Sequence, residues 1–193
     1  FDKAIELAPD DYDQLVEIYK VMDETGYQEM GAAYLEAAVQ NAPKTMSNYD
    51  KGRIYFYLGD FESARNYLEQ ARDAGDAQAT YYLGKTWENL GEYNYAASVY
   101  LSYLQDQGES ALIYNQLALC YMQLEDYTSA LSALQSGLAL EDTALKQTLS
   151  FNQVVLYEKQ GDFKQAAALM GKYVQDYPDD AAAVREYEFL RSR

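Results

Sequence analysis

The sequence has no histidine, one cysteine, three prolines and one tryptophan in 193 residues. Without histidine there is no Ser-His-Asp triad, no histidine-ligated zinc and no imidazole switch near neutral pH. The lone Cys120 excludes a disulfide framework within one chain and a cysteine cage for a metal. Basic residues are scarce as well: 15 Lys and Arg stand against 31 Asp and Glu, a formal charge of −16. That balance argues against a surface that neutralises nucleic-acid phosphates or docks on an anionic membrane. No stretch approaches the roughly 18 apolar residues of a membrane helix, and no basic, apolar, small-residue leader opens the chain. A charged tail and a Pro/Ser-rich linker are also missing, so composition marks no domain boundary.

What the chain does have is hydrophobic content of 49% and 21 tyrosines, enough to fold rather than stay disordered. It also has a repeat. The string Gly, any residue, aromatic, two residues, Ala occurs as Gly59-Asp60-Phe61-Glu62-Ser63-Ala64, Gly91-Glu92-Tyr93-Asn94-Tyr95-Ala96 and Gly161-Asp162-Phe163-Lys164-Gln165-Ala166. A variant begins at Glu125 and a weaker version runs from Gly26 to Gly31. These starts are 33, 32, 34 and 36 residues apart. Pro43 and Pro178 each follow the Gly of their own unit by 17 residues, where a proline stops one helix before the next begins. Pro9 fits the tail of an earlier, truncated unit.

Between these marks the apolar spacing is helical. Leu83, Trp87 and Leu90 step by four and three before one turn, and Leu117, Tyr121 and Leu124 repeat the pattern before the next. Each unit therefore reads as two helices of about 13–15 residues. The Gly supplies a left-handed C-cap and the Ala permits close approach. No alternating strand pattern occurs, so the fold class is all-α. The pairs Asp10-Asp11 and Asp179-Asp180, beside prolines at helix starts, read as caps that complement the helix dipole.

These units resemble tetratricopeptide repeats, a 34-residue pattern with a small residue at position 8, an aromatic at 11, Gly at 15, an aromatic at 17, Ala at 20 and 27 and Pro at 32. Gly52, Gly84 and Ala118 fall at position 8; Tyr55, Trp87, Tyr121 and Tyr157 at 11; Ala38 and Ala71 at 27. The outer units depart from it, with Tyr19 at position 8 and Gly31 at position 20 in the first and Val154 at position 8 in the fifth. The resemblance implies a right-handed α-solenoid of antiparallel helix pairs in one domain spanning residues 1–193. Repeats are expected at 12–44, 45–76, 77–110, 111–146 and 147–178. Residues 1–10 read as the end of a truncated repeat, with a further repeat expected upstream. Residues 179–193 read as a capping helix that packs through Val184, Tyr187 and Leu190. The chain is expected to be a fragment of a bacterial protein, cytoplasmic or anchored outside the cytoplasm through a preceding segment.

No phosphate loop, nucleophile elbow or calcium loop is present, so the expectation is a non-enzymatic scaffold with no cofactor. Its partner is expected to be a protein or peptide, neither nucleic acid nor membrane. The resemblance implies a concave groove lined by positions 2, 5, 9 and 12 of each first helix. Position 9 reads Lys20, Arg53, Lys85, Leu119 and Val155; position 5 reads Val16, Tyr49, Tyr81, Asn115 and Phe151. The three aligned cations suggest a track for an acidic or C-terminal-carboxylate peptide, with Tyr49, Phe56, Tyr57 and Tyr81 as aromatic walls. Against this, Glu24 and Glu88 lie within helical reach of Lys20 and Lys85 and can satisfy them locally. The later part of the groove is more apolar, through Leu119 and Met122, and Asn115 would need a hydrogen-bond partner, which a peptide backbone can supply. A second reading makes the repeat ends an oligomerisation surface around Phe1, Ile5 and Leu7.

Overall fold

In a computed structural model, which describes residues 3, 10–140 and 143–192, each turn of the recurring signature closes one helix and opens the next. Gly59 and Gly161 adopt φ of 77° and 76°, the left-handed region that ends a helix. Around Gly59 the Asp60 amide reaches back to the Tyr55 carbonyl (3.0 Å) and the Gly59 amide to that of Phe56 (3.1 Å), satisfying two carbonyls that the helix end would leave bare. The next residue then caps the following helix: the Asp60 and Asp162 carboxylates accept from the amides of Ser63 and Gln165, each at 3.1 Å. The alanines three residues after the aromatic, Ala64, Ala96, Ala130 and Ala166, are fully buried.

Eleven helices result among the described residues: α1 (Tyr12–Glu24), α2 (Gln28–Gln40), α3 (Asn48–Tyr57), α4 (Phe61–Asp73), α5 (Ala77–Asn89), α6 (Tyr93–Gln107), α7 (Ala111–Gln123), α8 (Tyr127–Ala139), α9 (Thr143–Lys159), α10 (Phe163–Asp176) and α11 (Ala181–Leu190). Most match the expected length, but α3 is 10 residues and α9 is 17. Asp11 and Asp180 cap α1 and α11 through their carboxylates. Pro43 and Pro178 lie between helices. The truncated opening helix, with Pro9, and the proposed end surface at Phe1, Ile5 and Leu7 lie outside the described residues.

The chain divides into two compact units, residues 1–91 and 92–193. In the first, α1 packs on α2, α3 on both α4 and α5, and α4 on α5, with α1 also touching α3. Its core holds Leu15, Val16, Tyr19, Leu35, Met46 and Ile54. Each fully buried aliphatic side chain of this kind contributes about 1.5–3 kcal/mol. Gly52 on α3 faces Leu68 on α4 so closely that an added Cβ would lie 2.6 Å from the Leu68 Cγ.

In the second unit α7 pairs with α8, α9 with α10, and α11 packs on α10. Val154, Ala166, Met170, Tyr173, Ala183 and Leu190 form the core at its end. The capping helix packs through Ala183, Tyr187 and Leu190 rather than the expected Val184, which is 40% exposed. Steps of four and three (183, 187, 190) follow a 3.6-residue helix more closely than two steps of three.

Candidate functional site

The first helices of the repeats in the first unit, α1, α3 and α5, bring most of the expected groove residues together. Tyr82 on α5, absent from the sequence expectation, is the hub. Its ring contacts Tyr49 (6.0 Å between centroids), Phe56 (5.6 Å), Tyr57 (6.1 Å) and Tyr81 (5.4 Å), mostly edge to face. Tyr57 extends the cluster to Tyr19 (5.7 Å) and to its neighbour Phe56 (5.3 Å), and Phe56 extends it to Phe61 (5.8 Å). The Tyr57 and Tyr82 hydroxyls lie 3.3 Å apart and share a hydrogen bond. Burial, then that bond, raises the Tyr57 hydroxyl well above the usual tyrosine range. Burial likewise raises Tyr49 and Tyr81, so these groups are neutral phenols at physiological pH. Apart from buried Tyr19, the rings keep part of their surface in solvent.

The three cations are all engaged within the chain. Arg53 is only 6% exposed, ion-paired with Asp13 of α1 and more loosely with Asp50 at 3.4 Å, and its guanidinium lies over the Tyr49 ring at 5.0 Å. Burial opposes its charge, but Asp13 and Tyr49 together outweigh burial and hold its pKa above the usual arginine value. Its Nε is buried without a hydrogen-bond partner. Lys20 pairs with Glu17 at 2.6 Å, not with Glu24 as the spacing suggests, and lies 5.6 Å from the centre of the Tyr57 ring. The ammonium thus leans back one turn toward Glu17 while facing that ring. Lys85 pairs with Glu88 at 2.6 Å, the local partner expected for it.

Asn115, Leu119 and Met122 belong to α7 in the second unit. Asn115 is buried, but its carbonyl oxygen accepts from the Asn152 amide of α9 at 2.7 Å, so the chain itself supplies the partner expected from a peptide. Met122 is buried in the core; Leu119 is half-buried. Asp13 and Tyr82 escaped the sequence reading for different reasons. Asp13 stands at position 2 of its unit, on the groove side, but it meets Arg53 only across 40 residues of chain, a pairing that spacing within one helix does not reveal. Tyr82 is the second member of a Tyr81-Tyr82 doublet, and position counting selected only the first.

At the ends of α1, α3 and α5 an open cleft of about 300 Å³ is floored by Phe56, Tyr57 and Phe61 and rimmed by Lys20, Asp23 and Glu24. Among the described residues no group of three or more His, Cys, Asp or Glu side chains is placed to hold a metal ion. No helix among them is long and apolar enough to cross a membrane.

Three segments, residues 49–111, 111–143 and 149–180, match the tetratricopeptide repeat. A 134-residue stretch is 28% identical to the BBSome complex member BBS4 of Bos taurus, covering 69% of this chain. The chain spans about a quarter of that relative's length, 25%. The fold is similar to a thermophilic TPR protein of Thermus thermophilus, with 19% identity, a TM-score of 0.69 and coverage of 94% of this chain and all of that one (100%). It is also similar to YrrB, a TPR protein with an unusual peptide-binding site, with 19% identity, a TM-score of 0.63 and 97% of each chain covered.

Proposed function

Because the chain belongs to the tetratricopeptide repeat proteins, we propose that it is a non-enzymatic interaction scaffold, holding a segment of a partner protein against the face made by α1, α3 and α5. The observation that carries this reading is the half-exposed aromatic cluster around Tyr82 (Tyr49, Phe56, Tyr57 and Tyr81), which presents ring faces and neutral hydroxyls in one open surface. Rigid aromatic side chains of this kind contribute contact area at low entropic cost and anchor protein interfaces. YrrB, whose fold is similar, has a peptide-binding site, and BBS4 is a member of a complex; both lend support. In the second unit, Leu119 on α7 would offer a half-exposed apolar contact. The preference for an acidic peptide rested on Lys20, Arg53 and Lys85, whose charges are matched internally, so the scaffold reading does not depend on it.

The test is site-specific photo-crosslinking in the native cell. A photoreactive residue replaces Tyr81 on the proposed face, or Glu69, half-exposed on α4. A defined protein crosslinked from Tyr81 and not from Glu69 is the expected result. Equal yields from both positions, or no product from Tyr81, would remove the reading.

A further inference from the structure

We propose that the cleft at the ends of α1, α3 and α5 receives a cationic side chain, lysine or arginine, flanked by apolar residues of the partner segment. The inference rests on the scaffold reading above and names the class of partner, reversing the charge expected from the sequence. The floor of the cleft is aromatic, with the Phe56 ring in contact with both Tyr57 and Phe61. Aromatic faces attract cations, and the Tyr57 ring already has the Lys20 ammonium 5.6 Å from its centre.

The rim is negative. Asp23 and Glu24 are exposed and have no ion-pair partner among the described residues, whereas Lys20, the one cation at the rim, is neutralised by Glu17. The surrounding unit adds to this field: residues 1–91 carry 17 acids and eight bases. Net charge of one sign around a low-dielectric cleft raises the local concentration of oppositely charged ligands.

Backbone placement points the same way. Asp23 and Glu24 form the end of α1, Phe56 and Tyr57 the end of α3, and Asn89 the end of α5, so three helix C-termini meet at one cleft. A helix C-terminus carries a partial negative charge and favours a basic residue in its last turn, yet none of these three last turns contains one. At α1 two acids stand there instead, a choice that opposes local helix stability. A sequence that breaks a local rule at the mouth of an aromatic cleft has the pattern of a binding site. A cation from outside would supply the charge those ends lack.

The probe is a set of three fluorescein-labelled 12-residue peptides with identical apolar positions and with Lys, Gln or Glu at every other position. Each is titrated against the intact chain by fluorescence anisotropy at low and high salt. The Lys peptide is expected to bind roughly tenfold tighter than the Gln peptide at low salt, with the Glu peptide weakest and the ranking compressed by salt. In Asp23→Asn with Glu24→Gln, the advantage of the Lys peptide is expected to vanish while the melting temperature stays the same or rises. A merely structural role for these acids would lower it. Tighter binding of the Glu peptide, an unchanged ranking in the double variant, or no binding of any peptide would overturn the proposal. In each case the crosslinking from Tyr81 decides separately whether the scaffold reading stands.

Discussion

Arg53 on α3 is ion-paired with Asp13 on α1, and the two ends of the bond lie in different environments. The arginine side chain is 7% exposed; the aspartate is 82% exposed. The pair ties the first two repeats together and places a charge beneath the aromatic cluster. For such a pair the asymmetry of deletion matters more than the bond itself. Removing the carboxylate leaves a buried guanidinium with Asp50 alone at 3.4 Å, whereas replacing the arginine by an apolar chain of similar length removes the buried charge. Asp13→Ala should therefore lower stability by about 1–3 kcal/mol, Arg53→Met by less, and the double variant should resemble Arg53→Met. Urea unfolding with unchanged slope reads all three. A larger loss in Arg53→Met than in Asp13→Ala would make the ion pair a net contributor to stability.

The contact between Gly52 and Leu68 leaves no room for a methyl group. A Cβ at position 52 would approach the Leu68 Cγ to 2.6 Å and the Leu68 backbone nitrogen to 3.1 Å, so rotating the leucine alone does not relieve it. Gly52→Ala should cost about 1–3 kcal/mol through displacement of α3 from α4, despite the better helix propensity of alanine. At Gly31 the nearest atom is a ring carbon of Tyr19 at 3.1 Å and no backbone atom is closer than 3.6 Å, so Gly31→Ala should cost less. Thermal melts of the two variants give the ranking.

Glu125 is the described non-glycine residue with a positive φ, 59°, at the turn where the neighbouring repeats have glycine. Its amide bonds remain those of the glycine turns: the Asp126 amide reaches the Tyr121 carbonyl at 2.9 Å. A side chain in the left-handed region costs about 1–2 kcal/mol, partly offset by the greater unfolded-state freedom that glycine would bring. Glu125→Gly should therefore raise stability by roughly 0.5–1 kcal/mol with the fold unchanged. A melting temperature lower than that of the parent chain would show that the Glu125 side chain makes a contact worth more than the strain.

How much of this was legible in the sequence depends on the range of the interaction. The Gly59-Asp60-Phe61 signature encodes a left-handed turn and a cap, both determined within six residues, and so the helix pairs follow from it directly. Gly52 was marked as the small residue of its repeat, and its contact with Leu68 is the physical reason. The binding face was only half legible. Periodicity identified Tyr49, Phe56, Tyr57 and Tyr81 as sharing a side but not the hub, because Tyr82 joins them through the stacking of successive helices. Ion-pair partners are the least legible: Lys20 has carboxylates within helical reach in both directions, and packing over Tyr57 selects Glu17. A row of aligned cations read from position counting is therefore not a row of free charges.

Glu158 near the end of α9 faces Glu186 of the capping helix, and one of its carboxylate oxygens is buried without a hydrogen-bond partner. Burial first, and then Glu186, raise its pKa above the ordinary glutamate value. The sign follows from linkage: a carboxyl with a raised folded-state pKa binds its proton more tightly in the native state than in the unfolded chain. Its charge therefore costs nothing below the ordinary glutamate range. The cost sets in as pH rises through that range and levels off above the raised value. Glu158→Gln removes the titration while keeping the shape, so it should stabilise the chain by roughly 0.5–1 kcal/mol at neutral pH, the partial solvation of the carboxyl holding the gain down. The advantage should shrink toward zero as the pH is lowered to about 4. Urea midpoints of the parent and variant measured side by side across this range test it. A constant difference would mean that Glu158 binds its proton equally well in the folded and unfolded chain, and an advantage that grows on acidification would mean that a contact holds it in its charged form.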